Sequence, residues 1–161
     1  QEIKKHLKLV FDAKALDKQI KLRFSDETNG AAVNAEAVSL KNNVFSNLIS
    51  NAIKFSNNGD SIDIIWEKAT GNKIFIKVRD YGVGIPKDIL DHLFDPDYKT
   101  SRPGTAGEKG TGFGMPIVKS FIEKYGGDIE VSSKTITDYP DDHGTEFKIT
   151  LSEADTKSKV A

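Results

Sequence analysis

No cysteine occurs in the 161 residues, which excludes disulfide staples and thiolate metal sites and agrees with a reducing, cytoplasmic setting. No apolar run approaches the roughly 20 residues that a membrane-spanning helix needs, and no signal-peptide pattern is legible. An excess of one charge is also missing. The 23 Lys and Arg balance 24 Asp and Glu to a net charge of −1, so nothing draws the chain electrostatically to nucleic acid or an anionic membrane. Methionine is reduced to Met115 alone, and the chain starts at Gln1. The expectation is an excised piece of a longer protein, and the sequence leaves open whether that parent is membrane-anchored or soluble. What remains is ordinary for a globular domain with one sizeable core, with 37% hydrophobic and 29% charged residues.

Hydrophobic spacing divides the chain. Residues 1 to 18 read as a helix, with Ile3, Leu7, Val10, Phe11 and Leu16 at helical intervals. Residues 20–25 alternate as a strand, 26–30 form a turn, and 31–34 suggest a second short strand. A long helix over 35–55 turns Leu40, Val44, Leu48, Ala52 and Phe55 to one side and ends at Asn57-Asn58-Gly59-Asp60. Strands over 61–68 and 73–80 flank Thr70-Gly71-Asn72 as an antiparallel hairpin. A short helix opens at Pro86 and runs to Phe94. Residues 95–110 have no period and are rich in glycine and proline, which marks a functional or disordered loop. A helix over 114–125 and strands over 128–133 and 146–151 complete the pattern, followed by a polar, frayed end. This order predicts an α/β fold, a two-layer sandwich whose mixed sheet is covered on one face by helices.

Three places carry chemistry. Asn47, Asn51 and Lys54 recur at i, i+4, i+7 and share one helix stripe. Core helices rarely carry such a stripe, because buried amides and ammoniums are costly without partners. A polar ligand would supply them, an amide oxygen for a divalent cation and a lysine for phosphate. The bland alternative, a solvated helix face, stays open on spacing alone. Asp80 ends a strand and runs into Tyr81-Gly82-Val83-Gly84-Ile85-Pro86, which by itself is also compatible with an ordinary turn. Gly110-Thr111-Gly112-Phe113-Gly114-Met115 precedes a helix, where glycines let free backbone amides point at an anion. It is neither a GxGxxG fingerprint nor a GxxxxGK[ST] loop.

These blocks, in this order and followed by His143-Gly144-Thr145-Glu146-Phe147, resemble the ATP-binding catalytic domain of bacterial sensor histidine kinases. That domain belongs to a superfamily shared with DNA gyrase, mismatch-repair ATPases and heat-shock chaperones. The resemblance covers residues 20 to 151 and implies a sandwich with a long ATP lid, ATP and Mg²⁺ as cofactors, and protein histidine kinase activity in two-component signalling. It implies that Asn51 holds magnesium, that Asn47 supports it or the phosphates, and that Lys54 contacts a phosphate. Phe55 would pack on adenine. Asp80 would accept from the exocyclic amine of adenine, a position where guanine carries a repelling carbonyl. Gly82 and Gly84 would let backbone approach the base, and Ile85, Gly110, Thr111, Gly112, Phe113, Gly114, Met115 and Thr145 would line the nucleotide. Lys99 stands near the place of a lid arginine and is the expected lid cation beside Lys54 in catalysis, with Arg102 the alternative. Asp97 and Pro116 depart from the usual pattern without removing a nucleotide contact.

The resemblance further implies three segments. Residues 1–18 link to a dimerisation domain that bears the phosphoacceptor histidine, 19–152 are the catalytic domain, and 153–161 are a polar tail. His6 lies too close to the asparagine block to be that acceptor, and His92 and His143 read as structural or exposed. The partners implied are the dimerisation domain of the same protein and a cognate response regulator. The isolated domain would be a monomer and the parent a homodimer. Hydrolysing relatives carry a glutamate at the position of Asn47. An amide cannot usefully take a proton from water, so Asn47 fits transfer rather than hydrolysis. An anti-sigma-type protein serine kinase, a hydrolysing ATPase and a degenerate nucleotide-binding module are the alternatives.

Overall fold

The structure is a computed structural model and describes residues 2–155. In chain order its elements are α1 (Glu2–Asp17), β1 (Lys21–Glu27), α2 (Ala37–Ser39), a π-helical segment (Leu40–Phe45), α3 (Ser46–Phe55), β2 (Ser61–Ala69), β3 (Lys73–Asp80), α4 (Lys87–Leu90), α5 (Gly114–Lys124), β4 (Asp128–Lys134) and β5 (Gly144–Ser152). The described strands form one mixed sheet in the order β1-β2-β3-β5-β4. β1 runs parallel to β2, and the other neighbours are antiparallel.

Strict alternation in β2, β3 and β5 explains the two layers. Ile62, Ile64 and Trp66, then Ile74, Ile76 and Val78, then Phe147, Ile149 and Leu151 all face one side and are buried. Register stacks them directly: Ile64 faces Val78, Val78 faces Phe147, and Ile76 faces Ile149. Many of the intervening residues are charged, and some pair across strands on the open face, Lys77 with Glu67 at 2.7 Å and Lys148 with Glu130 at 2.5 Å. Such exposed pairs contribute about 0–1 kcal/mol each. The apolar row is covered by Leu7 and Phe11 of α1, Leu48, Ile49 and Ala52 of α3, and Val118 and Ile122 of α5. The two-layer sandwich expected from the sequence is thus observed.

Some local expectations change. Residues 31–34 form no strand; Val33 makes a single bridge to Glu153, and β1 takes β2 as its partner instead. The helix after Pro86 is one turn, Lys87–Leu90. The long helix is interrupted by the π-helical segment, which lets both Val44 and Phe45 reach the core. Glu153 is tied down rather than frayed, by its amide to Asn72 O (2.8 Å) and its carboxylate to Lys68 (3.1 Å). The rest of the expected polar tail, 156–161, lies outside the described residues.

Ile76 is fully buried at the centre of the sheet. Ile76→Ala is expected to cost about 2–5 kcal/mol in urea unfolding through the cavity it leaves. Lys77→Ala, next in the strand but on the open face, should cost no more than about 1 kcal/mol. Equal losses at the two positions would contradict the assignment of faces.

Candidate functional site

A cavity of about 230 Å³ opens where α3, the N-terminal end of α5 and the ends of β3 and β5 meet the loop after α4. Helical spacing brings Asn47, Asn51, Lys54 and Phe55 to its wall from α3, and Gly114 and Met115 enter from α5. Asp80, Thr145 and Ile85 form the sheet end, and Gly110, Thr111 and Gly112 come from the loop. Four expected site residues are not in the lining. Lys99 and Phe113 are exposed, Phe113 by 55%. Gly82 and Gly84 serve the protein's own backbone: a Cβ at Gly82 would meet Phe55 O at 2.0 Å, and one at Gly84 would meet Lys134 O at 2.1 Å. Arg102 lines the cavity where Lys99 does not.

Asp80 is buried because of strand parity. It continues the inward row Ile74, Ile76, Val78 and is only 5% exposed. Its Oδ1 accepts from the amides of Gly82 (3.0 Å) and Thr145 (3.2 Å), which leaves Oδ2 for a donor inside the cavity. Burial pushes its carboxyl up to about 6, against the pull of those two amides and of Arg79 and Arg102. Ser133 braces the same corner. Its hydroxyl accepts from Ile85 N–H (2.8 Å), donates to Gly144 O (3.0 Å) and meets the Thr145 hydroxyl at 2.8 Å. His143 donates from Nδ1 to Gly82 O at 2.6 Å, which fixes the turn and identifies this histidine as structural.

Cations line the same cavity, Lys54 and Arg102 among them. Lys54 Nζ lies 4.9 Å and the Arg102 guanidinium 4.0 Å from the centre of the Phe55 ring. Burial lowers the pKa of Lys54, Arg102 lowers it further, and Glu108 partly offsets both. Burial also lowers that of Arg102, against the attraction of Asp80. Two partly desolvated cations side by side are a standing cost that a polyanion would relieve. Asn47 donates to Asn43 O at 2.6 Å, and its Oδ1 would lie 2.9 Å from a Cβ on Gly114. That glycine is needed for α5 to start this close. No group of three or more acidic, histidine or cysteine side chains is placed to hold a metal ion among the described residues. A metal here would therefore be held by an amide oxygen such as that of Asn51 together with oxygens of its own ligand, which suits a hard, water-retaining cation.

Residues 36–155 match the family described as "Histidine kinase-, DNA gyrase B-, and HSP90-like ATPase". The chain belongs to this ATPase family. Its relatives include the sensor histidine kinase RcsC of Escherichia coli, 34% identical over 135 residues that cover 83% of this chain but 14% of RcsC. The sensor protein SrrB of Staphylococcus aureus is 38% identical over 91 residues, 56% of this chain and 15% of SrrB. The chain thus spans about one seventh of the length of these relatives. The catalytic domain of the histidine kinase ThkA shares the fold, with a TM-score of 0.77 at 24% identity over 94% of this chain and 92% of that one.

Within this ATPase family fold, the loop from Asp95 to Phe113 lies over the cavity as a lid held by polar contacts. Ser101 Oγ donates to Gly110 O (2.7 Å), and Thr105 N–H donates to Lys54 O (3.0 Å). Arg102, Ser133 and Lys109 join the site without having been singled out as its main residues by spacing, since loops and strand edges carry no helical period.

The elevated Asp80 pKa sets a sign. A carboxyl near 6 in the folded state and 3.8 otherwise favours folding when protonated, so stability falls as pH rises from about 4 to about 6 and stays lower above. Asp80→Asn should therefore raise the melting temperature of nucleotide-free protein at pH 7.5, by the equivalent of up to about 3 kcal/mol, and change it little at pH 4. A variant destabilised at pH 7.5 would show that the buried charge is not a cost.

Proposed function

We propose that this chain is the ATP-binding catalytic domain of a sensor histidine kinase. It binds ATP with Mg²⁺ and passes the γ-phosphoryl group to a histidine on the dimerisation domain of its parent protein. One observation carries the reading: a single cavity is lined by a buried carboxylate and by an amide–ammonium row with two crowded cations. The carboxylate suits the exocyclic amine of adenine and opposes guanine, while the cations suit a triphosphate. Asn51 would hold the metal, which neutralises phosphate charge, and Asn47 and Lys54 would hold phosphate oxygens. Arg102, which lines the cavity, would act as the lid cation in place of Lys99.

In the transfer, an imidazole nitrogen of the acceptor forms a bond to the γ-phosphorus, the bond to the bridging oxygen breaks, and ADP leaves with that electron pair. Asn47 offers no base for water, which supports transfer over hydrolysis. Full-length ShkA, which shares the fold with a TM-score of 0.75 at 20% identity, has been solved with AMPPNP, and ThkA with the response regulator TrrA. A nucleotide ligand and a cognate response regulator are proposed here on that pattern. No helix among the described residues is long and apolar enough to cross a membrane.

Calorimetry should show Mg-ATP binding and much weaker GTP binding. Lys54→Ala should weaken ATP about 10–100-fold with or without metal, the range for a lost charge-assisted contact, whereas Asn51→Ala should act chiefly when magnesium is present. With labelled ATP, the chain alone should neither label itself nor release phosphate. Adding the parent's dimerisation domain should give an acid-labile, base-stable phosphohistidine. Rapid phosphate release by the chain alone would favour a hydrolase. Acid-stable label on a partner serine would favour a serine kinase, and binding without any transfer would favour a degenerate module.

A further inference from the structure

Lys18 follows the last residue of α1, is 7% exposed, and takes no part in the site described above. Its Nζ lies 3.1 Å from Ile53 O, 3.1 Å from Lys54 O and 3.3 Å from Ser56 O, at the C-terminal end of α3. Helix ends of this kind present unpaired carbonyls and partial negative charge, which a cation satisfies. The same ammonium also reaches the lid, donating to Thr105 Oγ1 at 2.8 Å and pairing with Glu108 Oε1 at 2.5 Å. Thr105 in turn donates its hydroxyl to Ser56 O at 2.6 Å. Glu108 closes the lid segment on itself, through its carbonyl to Gly104 N–H (2.9 Å) and its Oε2 to Ala106 N–H (2.9 Å).

We infer that Lys18 is a positioning residue for the nucleotide site, an ammonium clamp that holds the lid segment 104–108 against the end of α3 and thereby places Lys54. This rests on the nucleotide reading of the cavity. Without the ammonium, the Glu108 carboxylate would face the carbonyl end of α3, an arrangement that is electrostatically repulsive. The clamp matters to Lys54 because the lid backbone runs in contact with it. A Cβ on Gly104 would lie 2.6 Å from Lys54 Cγ, and one on Gly110 would lie 2.4 Å from Lys54 Nζ. The chain of contacts therefore leads from the end of α1, through one ammonium, to a side chain in the cavity.

The test compares wild type, Lys18→Met, Glu108→Gln and the double variant. Methionine keeps the stem of Lys18 and removes its charge. In nucleotide-free protein, Lys18→Met should speed amide exchange in 104–108 about tenfold, the change expected when a charge-assisted bond is lost, while β3 and β5 stay protected. Mg-ATP should bind more weakly and dissociate faster by a similar factor. Glu108→Gln should free the same segment, and the double variant should add little to Lys18→Met. Unchanged lid exchange in Lys18→Met and Glu108→Gln would overturn the clamp and leave Lys18 as a cap of α3. A freed lid with Mg-ATP binding unchanged or tighter would overturn the positioning role. Should Lys18→Met fail to fold, Glu108→Gln alone decides by the same two readouts. Should wild type fail to bind Mg-ATP, the nucleotide reading falls, and lid exchange still decides whether the clamp exists.

Discussion

Asp80 stands at the end of an otherwise apolar row, and much of the site follows from that one carboxylate being inside. Strand parity gives it no choice of face: if Val78 is in the core, so is Asp80. The fold answers with two backbone amides on Oδ1 and only the longer-range pull of Arg79 and Arg102, so the group remains disfavoured in its charged form. The glycines around it are consequences. Gly82 and Gly144 let the turn and the facing strand close on the aspartate, since a Cβ at Gly144 would meet Asp80 O at 2.2 Å. A core that tolerates such a charge gives up stability and holds one carboxylate in a fixed direction.

The cations that line the same cavity show the opposite sign and the same logic. Lys54 and Arg102 share the faces of one ring, Phe55, and each is disfavoured as a cation by burial. Arg102 and Asp80 attract each other within the cavity. The lid arginine therefore partly answers the buried carboxylate.

Much of this arrangement was legible in the sequence because it obeys two periods. The 3.6-residue repeat of α3 aligns Asn47, Asn51 and Lys54, and the two-residue repeat of β3 sets Asp80 inward. Where no period operates, sequence reading had less to use. The choice between Lys99 and Arg102 depends on the path of an aperiodic loop. The pairing of β1 with β2 rather than with residues 31–34 is a matter of topology, which strand propensity does not encode. Lys18 looks like any charged residue at a helix end, and its five oxygen neighbours come from segments 35 to 90 residues away.

The π-helical segment Leu40–Phe45 has a consequence for how this site tolerates change. A π-turn carries one residue more than an α-helical path of the same rise. The surplus residue is absorbed inside the wide turn, so the phase of everything after it, including the amide–ammonium row, does not depend on its presence. Substitutions at Lys41 or Asn42, which lie outside the core, leave that phase alone. Loss of one solvent-facing residue there would restore a regular α-helix over nearly the same rise and keep Asn47, Asn51 and Lys54 turned to the cavity. The site is thus buffered in this stretch against replacement and against loss of a single residue.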